Sequence, residues 1–470
     1  MTSSRTIRRV LVANRGEIAV RIVRACRQEG IEPIVAVSEA DQGSLAARLA
    51  ADVVHIGPAS ATQSYLRVEQ IIAAALLTSC DAIHPGYGFL SERADLAEAC
   101  AAHGLIFVGP SVDSIRRGAD KVEARRAARA AGVPTGLGSD VVSGLAAALA
   151  VADDLAYPVL LKAVAGGGGR GMARVDSAGE LAAMFGGASG EADAAFGDGR
   201  MYVERYIENA RHVEVQLLGD RYGRIVHLGD RDCSTQRRFQ KLVEEAPAAV
   251  LSSELRQRLA DAAVALGREL DYRGAGTVEF LVDLDRKDFS FLEINTRVQV
   301  EHPVTEMVTG VDIVRAQLRL AAGQPLGFSQ DDVAISGHAI ECRINAESVA
   351  NGFLPSPGTI TRWDPPAGDD VRVDSHAFAG YEVPPYYDSL IAKLIVVGAD
   401  RSEAIDAALR ALDEFEIEGV ETTRDLHRAV LTHDDFRNDA INTRWLEATV
   451  LPAMMSTSWP SAGAVGSTDG

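Results

Sequence analysis

Polar side chains at alternating positions beyond the middle of the chain give the first sign of chemistry. Read as a β-strand, residues 291–301 turn these groups to one face, because successive side chains point to opposite faces of a strand. The face carries Glu293, Asn295, Arg297, Gln299 and Glu301. An ordinary solvated strand usually carries Lys, Thr and Ser instead. The composition therefore favours a functional site, with a solvated amphipathic strand as the alternative.

A second alternating segment suggests what this face binds. Residues 277–282 also alternate, and the polar residues 285–288 can form the turn between the two segments. A hairpin closed there places Glu279 opposite Glu293, and like charges facing each other destabilise a sheet. A divalent cation removes this conflict, and Mg²⁺ prefers carboxylates together with phosphate oxygens. The sequence predicts a metal site formed by Glu279, Glu293 and Asn295.

A glycine run at 166–171 predicts a phosphate site. Glycines let backbone N–H groups approach phosphate oxygens and let a loop move as a lid. Lys162 lies in an apolar strand, where a charge needs a reason, and Lys121 lies at a predicted helix start. The two lysines could neutralise a triphosphate. The run lacks the ending of a Walker loop, a flexible linker stays an alternative, and Lys121 fits an ordinary surface position equally well.

Other segments give weaker signals. Residues 201–207 have the apolar edge and the acceptor that an adenine pocket needs, although a half-buried strand explains them equally. His212 beside a strand is more typical of a core residue than of a ligand. Residues 231–247 are dense in charge, and a solvated loop is as compatible as a site. Arg343 lies in a strand-like run, where a half-buried arginine pairs with a carboxylate or recognises an anion.

Composition narrows the class of protein. The 470 residues suggest two to four packed lobes, and the net charge of −19 disfavours nucleic acid and anionic membrane surfaces. No apolar stretch is long enough for a membrane span, and the N-terminal apolar run is too short for a signal peptide. The odd count of 5 cysteines, without metal-ligand spacing, predicts reduced thiols. We therefore expect a cytoplasmic protein.

The order of elements predicts a multidomain protein of the α/β and α+β classes. A strand at 10–13, a helix ending near Gly30 and a strand at 34–37 indicate a parallel sheet. The first turn lacks the glycine-rich dinucleotide fingerprint. Two strands around the glycine run predict a small lobe at about 135–205, followed by a β-rich part at 210–305, short strands at 337–397 and a helix at 402–415.

Together these motifs resemble the biotin carboxylase family of ATP-grasp enzymes. The matching segments are ANRGEIA at 13–19, HPGYGFLSE at 84–92, DK at 120–121, the glycine run, RDCS at 231–234, EEAP at 244–247, NTRVQVEHPVTE at 295–306, ECRINAE at 341–347 and PPYYDS at 384–389. The resemblance implies a Rossmann-like N-terminal domain (5–118), an ATP-grasp domain (119–325) with a mobile lid (135–205) and a β-rich C-terminal domain (335–447). A disordered tail is expected at 456–470.

The resemblance also implies residue roles. ATP would be bound by Lys121, Lys162, Gly168, Gly169, Glu204, Arg205, Ile207, His212, Gln236, Glu279 and Glu293. Mg²⁺ or Mn²⁺ would be held by Glu279, Glu293 and Asn295. Bicarbonate would be held by Lys241, Arg297, Gln299 and Val300, and biotin by Arg343 and Tyr87. Glu301 would be the general base, with Lys241, Arg297 and Arg343 assisting catalysis.

The implied activity is the ATP- and bicarbonate-dependent carboxylation of biotin through carboxyphosphate, the first half-reaction of an acyl-CoA carboxylase. Residues 453–455 lack the lysine of a biotin attachment motif, so we expect biotin on a separate carrier protein or as the free molecule. Carboxyltransferase subunits and a second copy of this chain are the other implied partners. The alternatives are another ATP-grasp ligase, joining a carboxylate to an amine, and a non-catalytic ATP-binding subunit.

Two segments depart from the family pattern. Val164 and Ala165 precede the glycine run where small residues are usual, which predicts a stiffer lid. Phe239 stands where family members often have His, which predicts the loss of one contact near the phosphates.

Overall fold

The structure is a computed structural model that describes residues 5–136, 138–166 and 171–456. Gly168 and Gly169 lie outside these ranges, as does the predicted disordered tail from residue 457 onward. No helix in the described ranges has both the length and the apolar character needed to cross a bilayer.

The N-terminal lobe is a parallel sheet flanked by helices, which confirms the prediction from the strand–helix–strand pattern. The elements are β1 (Arg9–Val12), α1 (Gly16–Gln28), β2 (Glu32–Val37), α2 (Leu45–Leu49), β3 (Asp52–His55), α3 (Val68–Leu77), β4 (Ala82–His84), α4 (Ala94–Ala102), β5 (Ile106–Phe107) and α5 (Val112–Ala119). The strands lie in the order β3-β2-β1-β4-β5, and each neighbouring pair is parallel. β1 is central and almost wholly buried, as expected when helices cover both faces.

A small lobe follows a helix that begins at Lys121. The elements are α6 (Lys121–Ala130), α7 (Leu145–Leu155), β6 (Val159–Ala163), β7 (Met172–Val175), α8 (Ala178–Phe196) and β8 (Met201–Arg205). The side chain of Asp120 accepts hydrogen bonds from the first free N–H groups of α6, which fixes where the helix begins. β6 pairs antiparallel with both β7 and β8, so the predicted strands on either side of the glycine run are confirmed.

The remaining elements build one large antiparallel sheet and its cover. From the middle of the chain come β9 (Ala210–Gly219), β10 (Ile225–Arg237), β11 (Gln240–Ala246), α9 (Ser253–Glu269), β12 (Gly274–Asp283), β13 (Asp288–Asn295), α10 (His302–Thr309) and α11 (Ile313–Ala321). The C-terminal part adds β14 (His338–Asn345), β15 (Glu347–Ser348), β16 (Leu354–Pro355), β17 (Gly358–Thr359), β18 (Arg362–Asp364), β19 (Val371–Ser375), β20 (Glu382–Val383), β21 (Leu390–Gly398), α12 (Arg401–Glu414), β22 (Glu416–Glu418), α13 (Arg424–Thr432), α14 (Asp434–Arg437) and α15 (Leu451–Ser456).

Eight strands of this set form a single sheet in the order β13-β12-β9-β10-β11-β14-β21-β19. The sheet therefore joins strands from the middle and from the C-terminal part of the chain. The junction is the pairing of β11 with β14, from Val243 opposite Cys342 to Ala246 opposite Ala339. Residues from both parts consequently share one rigid surface.

The structure corrects one sequence-based prediction and excludes one alternative that the sequence left open. The strand predicted across 291–301 ends at Asn295, because the chain turns and then enters α10, which has a proline in its first turn. Arg297, Gln299 and Glu301 therefore reach the site from a connecting segment. The charged run 231–247 is not a solvated loop, since it forms most of β10 and β11, where nearly every residue is buried.

The 5 cysteines are all free and buried. Burial raises the pKa of the Cys26 and Cys100 thiols to about 12. Thiols held in this neutral form are poor nucleophiles and poor metal ligands. This agrees with the expectation of reduced thiols.

Candidate active site

One cleft of about 1240 Å³ lies between the N-terminal lobe, the small lobe and the large sheet. It is lined by every predicted site residue that the structure describes: Tyr87, Lys121, Lys162, Glu204, Arg205, Ile207, His212, Gln236, Lys241, Glu279, Glu293, Asn295, Arg297, Gln299, Val300, Glu301 and Arg343. Residues scattered over more than 250 positions of sequence thus meet in one place. Such convergence of polar groups in a large concave site is typical of an active site.

The carboxylate pair at the centre of the cleft is formed as predicted. Glu279 on β12 lies directly opposite Glu293 on β13. His212 Nε2 lies 2.7 Å from Glu279 Oε2, and Asn295 Nδ2 donates to Glu279 Oε1 at 2.9 Å. Burial and the charge of Glu279 raise the pKa of Glu293. Within the described ranges no donor reaches the Glu293 carboxylate, so its oxygens are open to the cleft.

This arrangement fits a hard divalent cation. Two facing carboxylates with an amide oxygen nearby match the oxygen ligands that Mg²⁺ and Mn²⁺ accept. A cation there would offset the repulsion that raises the pKa of Glu293. Glu279, Glu293 and Asn295 are the residues that would hold it.

Lys241 on β11 lies in the cleft among three carboxylates. Its Nζ donates to Glu214 at 2.6 Å, to Glu301 at 2.6 Å and to Glu279 at 3.0 Å. Burial lowers the pKa of this lysine, but Cys233 and the three carboxylates raise it well above its usual value. Lys241 is therefore a permanent cation beside the Glu279 carboxylate, with Gln299 Oε1 also 3.5 Å from its Nζ.

Glu301 is held between two cations from different strands. Lys241 Nζ contacts one of its oxygens, and Arg343 on β14 donates to the other at 3.0 Å. Burial raises the pKa of Glu301, but the charges of Lys241, Arg343 and Arg231 together outweigh it and lower the pKa, so the carboxylate is ionised. Arg343 also donates to Glu244 at 2.6 Å. The prediction that Arg343 is half buried and paired with a carboxylate is confirmed.

The small-lobe side of the cleft carries more cations than carboxylates. Glu204 on β8 accepts hydrogen bonds from both Lys162 and Arg125. Lys121 donates to the backbone oxygen of Gly166 at 2.5 Å, at the start of the glycine run. Burial and the positive charges of Arg125 and Lys121 lower the pKa of Lys162 to about 8. One carboxylate facing three cations leaves a positive surface suited to a polyphosphate.

The other predicted residues have protein partners in this structure. Arg205 donates to Asp283 at 2.5 Å, and Gln236 donates to the Cys233 carbonyl at 3.4 Å. Tyr87 donates its O–H to Glu17 at 2.5 Å, and the Val300 carbonyl accepts from Lys393 at 2.7 Å. Ile207 contributes an apolar wall. Their roles toward ligands stay predictions.

Several neighbours of the site were not found from the sequence. Glu92 binds Arg297 at 2.9 Å, Glu214 binds Lys241, and Lys393 is fully buried beside Val300. The sequence does contain an indication of Lys393, because this lysine interrupts the apolar run 391–396 in the same way that Lys162 interrupts its own apolar strand. Glu92 and Glu214 lie in segments where no local pattern indicates their partners.

The two departures from the family pattern lie beside the same cleft. Phe239, 57% exposed, lies at the turn between β10 and β11 and lines the cleft. Val164 follows β6, and its backbone N–H donates to the Arg200 carbonyl at 2.9 Å. The predicted loss of a phosphate contact and the predicted stiffening of the lid stay predictions.

Comparison with known families first defines the class of enzyme. Residues 120–329 match the family described as carbamoyl-phosphate synthase L chain, ATP binding domain. The small lobe, the facing pair of carboxylates and the cationic surface therefore belong to an ATP-grasp ligase. Residues 6–115 match the biotin carboxylase N-terminal domain, and residues 341–448 match the biotin carboxylase C-terminal domain.

Individual relatives cover nearly the whole chain. Biotin carboxylase 1 of Bacillus subtilis is 50% identical over 94% of this chain and 98% of its own. A crystal structure of a biotin carboxylase–ATP complex from Campylobacter jejuni is 48% identical, with a TM-score of 0.90 over 94% of this chain and 99% of its own.

A further solved structure contains both a nucleotide and bicarbonate. The biotin carboxylase domain dimer of Hydrogenobacter thermophilus 2-oxoglutarate carboxylase, in complex with MgADP, ADP and bicarbonate, is 45% identical. Its TM-score is 0.87 over 94% of this chain and 97% of its own. The chain belongs to the biotin carboxylase family.

Proposed function

We propose that this protein uses ATP and bicarbonate to carboxylate biotin borne by a carrier protein, as the first half-reaction of a biotin-dependent carboxylase. The observation that carries the proposal is the position of Glu301. This buried carboxylate lies between Lys241 at 2.6 Å and Arg343 at 3.0 Å, at the end of the metal site. A base, a lysine that would bind the anion and an arginine thus adjoin the expected position of the γ-phosphate.

The nucleotide would lie between the small lobe and the large sheet. Lys121, Lys162 and the glycine run would bind its phosphates, with Glu204, Arg205, Ile207, His212 and Gln236 around the remainder. A bound Mg²⁺ or Mn²⁺ would neutralise charge on the phosphate oxygens during transfer. Glu279, Glu293 and Asn295 would hold it. Closing the small lobe would keep water from the unstable carboxyphosphate.

Bicarbonate would bind where Lys241 and Arg297 converge, with Gln299 and the Val300 backbone. The planar guanidinium of Arg297 suits two-point contact with such an anion. Lys241 and Arg343, two of the three cations that lower the pKa of Glu301, are also the groups that would turn to the substrates. Bicarbonate would draw Lys241 away and biotin would draw Arg343 away, so Glu301 would become more basic when both are bound. It would then remove the bicarbonate proton. The resulting anion would attack the γ-phosphorus, and the bond to the β-phosphate oxygen would break to release ADP and form carboxyphosphate.

Carboxyphosphate would break down to CO₂ and phosphate beside biotin. The phosphate would take the ureido N–H proton, and the biotin nitrogen would attack CO₂. Negative charge then develops on the ureido oxygen, and Arg343 would stabilise it. Tyr87, which donates to Glu17 at 2.5 Å, would contact biotin from the N-terminal lobe.

The expected partners follow from this half-reaction. A carrier protein would present biotin at the cleft, and a carboxyltransferase would choose the final acceptor, an acyl-CoA or another acid. A second copy of this chain is the proposed assembly. A ligase that joins a carboxylate to an amine would share the metal site but would have no use for Arg343 against Glu301.

Phosphate release from ATP by the purified chain tests the proposal. The assay contains Mg²⁺ and compares four conditions: no addition, bicarbonate, free biotin, and both. Release that needs bicarbonate and rises with biotin supports the proposed function. Phosphate release that is unchanged by bicarbonate and by biotin, together with tight nucleotide binding, contradicts the proposed function and favours another ligase.

Nucleotide affinity is expected to fall in alkaline solution because of Lys162. The pKa of this lysine in the free protein is lowered to about 8, whereas a bound polyphosphate favours its charged form. Affinity for MgADP should therefore weaken as pH rises past that value, by about tenfold from pH 7 to pH 9. Isothermal calorimetry measures the affinity. Lys162→Gln should bind more weakly with little pH dependence, and a flat wild-type profile would assign Lys162 a structural role.

A further inference from the structure

A buried pair of acids lies behind Arg343 and has no part in the reaction described above. Glu244 on β11 and Glu341 on β14 are directly opposite each other across the strand pair. Both are 0% exposed. Glu341 lies two residues before Arg343 on the same strand, so both side chains point to the same face of the sheet. The pair therefore adjoins the guanidinium that is proposed to contact biotin.

Hydrogen bonds account for only one of the four carboxyl oxygens. Arg343 Nε donates to Glu244 Oε1 at 2.6 Å. Glu244 Oε2 and both oxygens of Glu341 are buried without a hydrogen-bond donor among the residues that the structure describes. Buried carboxylate oxygens left unpaired cost several kcal/mol, about 1–3 for each lost hydrogen bond and more when charged. A proton shared inside the pair removes most of this cost.

Too few unpaired positive charges lie around the pair, in the described part of the chain, to keep both acids ionised. Besides Arg343, Lys393 acts electrostatically on Glu341, but its Nζ is bound to the Val300 carbonyl at 2.7 Å and to Glu17 at 3.1 Å. Burial raises the pKa of Glu341 well above its usual value, and it raises that of Glu244 to about 7. The charged and titratable groups that face the pair are Arg343, Lys393, Glu301, Lys241, Cys233 and Cys342.

We propose that Glu341 is a positioning residue for Arg343: its carboxyl group stays protonated and donates to Glu244 Oε2, which keeps Glu244 ionised against the guanidinium. The inference rests on the proposed function only for the role of Arg343 toward biotin. Glu244 and Glu301 hold the guanidinium from two sides, at 2.6 Å and 3.0 Å. Without the proton from Glu341, Glu244 would become protonated more easily, and Arg343 would turn toward Glu301, the proposed base.

Two variants of nearly equal size separate this role from simple packing. Glu341→Gln keeps a neutral group that donates to Glu244, so turnover and the KM for free biotin should stay within about twofold of wild type. Glu341→Leu removes the donor and raises the pKa of Glu244. The KM of this variant for biotin should be about tenfold higher at pH 6.5 than at pH 8.5, while its KM for MgATP is the same at both pH values.

The sign of this pH effect follows from Glu244. When the pKa of Glu244 is raised, its carboxylate becomes protonated at a higher pH as the solution is acidified. The ion pair that holds Arg343 is then lost at that higher pH. Steady-state kinetics between pH 6 and pH 9 measure the shift. Equal losses in Glu341→Gln and Glu341→Leu would show that an ionised Glu341 is required. An unchanged biotin KM and pH profile in Glu341→Leu would show a purely structural role. Either result overturns the proposal.

Infrared spectroscopy of the resting protein tests the proton itself, without substrates. The wild-type minus Glu341→Gln difference spectrum at pH 8 should contain the C=O band of a protonated carboxylic acid, shifted by D₂O exchange. Absence of this band overturns the proposal, and its presence supports it even if Glu341→Leu fails to fold. Because the measurement needs no turnover, its failure is distinct from a failure of the proposed function, which the bicarbonate assay of the wild type tests.

Discussion

Glu301→Gln is expected to lower bicarbonate-dependent ATP cleavage by about 10²–10⁴-fold, the usual contribution of a general base. The amide keeps the size of the side chain but cannot take the bicarbonate proton. Nucleotide affinity should change little, because the contacts of Glu301 are to Lys241 and Arg343 and none is to the lysines of the small lobe. Phosphate release with and without bicarbonate, and calorimetry with MgADP, measure the two quantities.

A matched control removes a carboxylate from the edge of the same cleft. Glu447 lines the cleft and accepts a hydrogen bond from the Arg238 backbone at 2.8 Å. Glu447→Gln should keep turnover near wild type. If Glu301→Gln retained wild-type turnover, Glu301 would not be the base.

Arg343→Gln is expected to uncouple the two steps of the reaction. Carboxybiotin formation should fall by about 10²–10³-fold, the cost of removing one donor from a site where negative charge develops. Bicarbonate-dependent ATP cleavage should be less affected, because Lys241 and Arg297 still hold the anion. The ratio of carboxybiotin formed to phosphate released measures the coupling.

The conservative variant sharpens this test. Arg343→Lys keeps a positive charge but cannot donate to two groups from a planar fork, so it should recover only part of the coupling. Equal losses of both activities in Arg343→Gln would show that Arg343 acts before CO₂ is released. Its role would then be to hold Glu301 rather than biotin.

Local patterns predicted the hairpin that pairs the two carboxylates. The β12–β13 hairpin follows from two alternating segments and a polar turn, and it places Glu279 opposite Glu293 as expected. The parallel sheet of the N-terminal lobe follows from an equally local pattern of strand, helix and strand. In both cases residues that are close together in the sequence are sufficient to predict the structure.

Long-range charge compensation is what the sequence did not reveal. Arg231 is fully buried, and Glu214 and Gln216 on β9 together with Thr305 on α10 accept hydrogen bonds from its guanidinium. A run that contains such an arginine is indistinguishable from a solvated loop until its partners are known. The end of β13 was missed for a related reason: Arg297 alternates as in a strand, yet Glu92 of the N-terminal lobe binds it.

The pairing of β11 with β14 has a consequence for how the chain can be divided. The match to the ATP-binding family ends at residue 329, and the match to the C-terminal domain family begins at residue 341. These limits suggest residues 330–340 as a place to cut the chain and express the two parts separately. The cut would expose β11 on one fragment and β14 on the other, each with a row of unpaired N–H and C=O groups. Such open edges template aggregation. The sheet that holds Lys241 and Arg343 together therefore also makes the two parts inseparable as folding units.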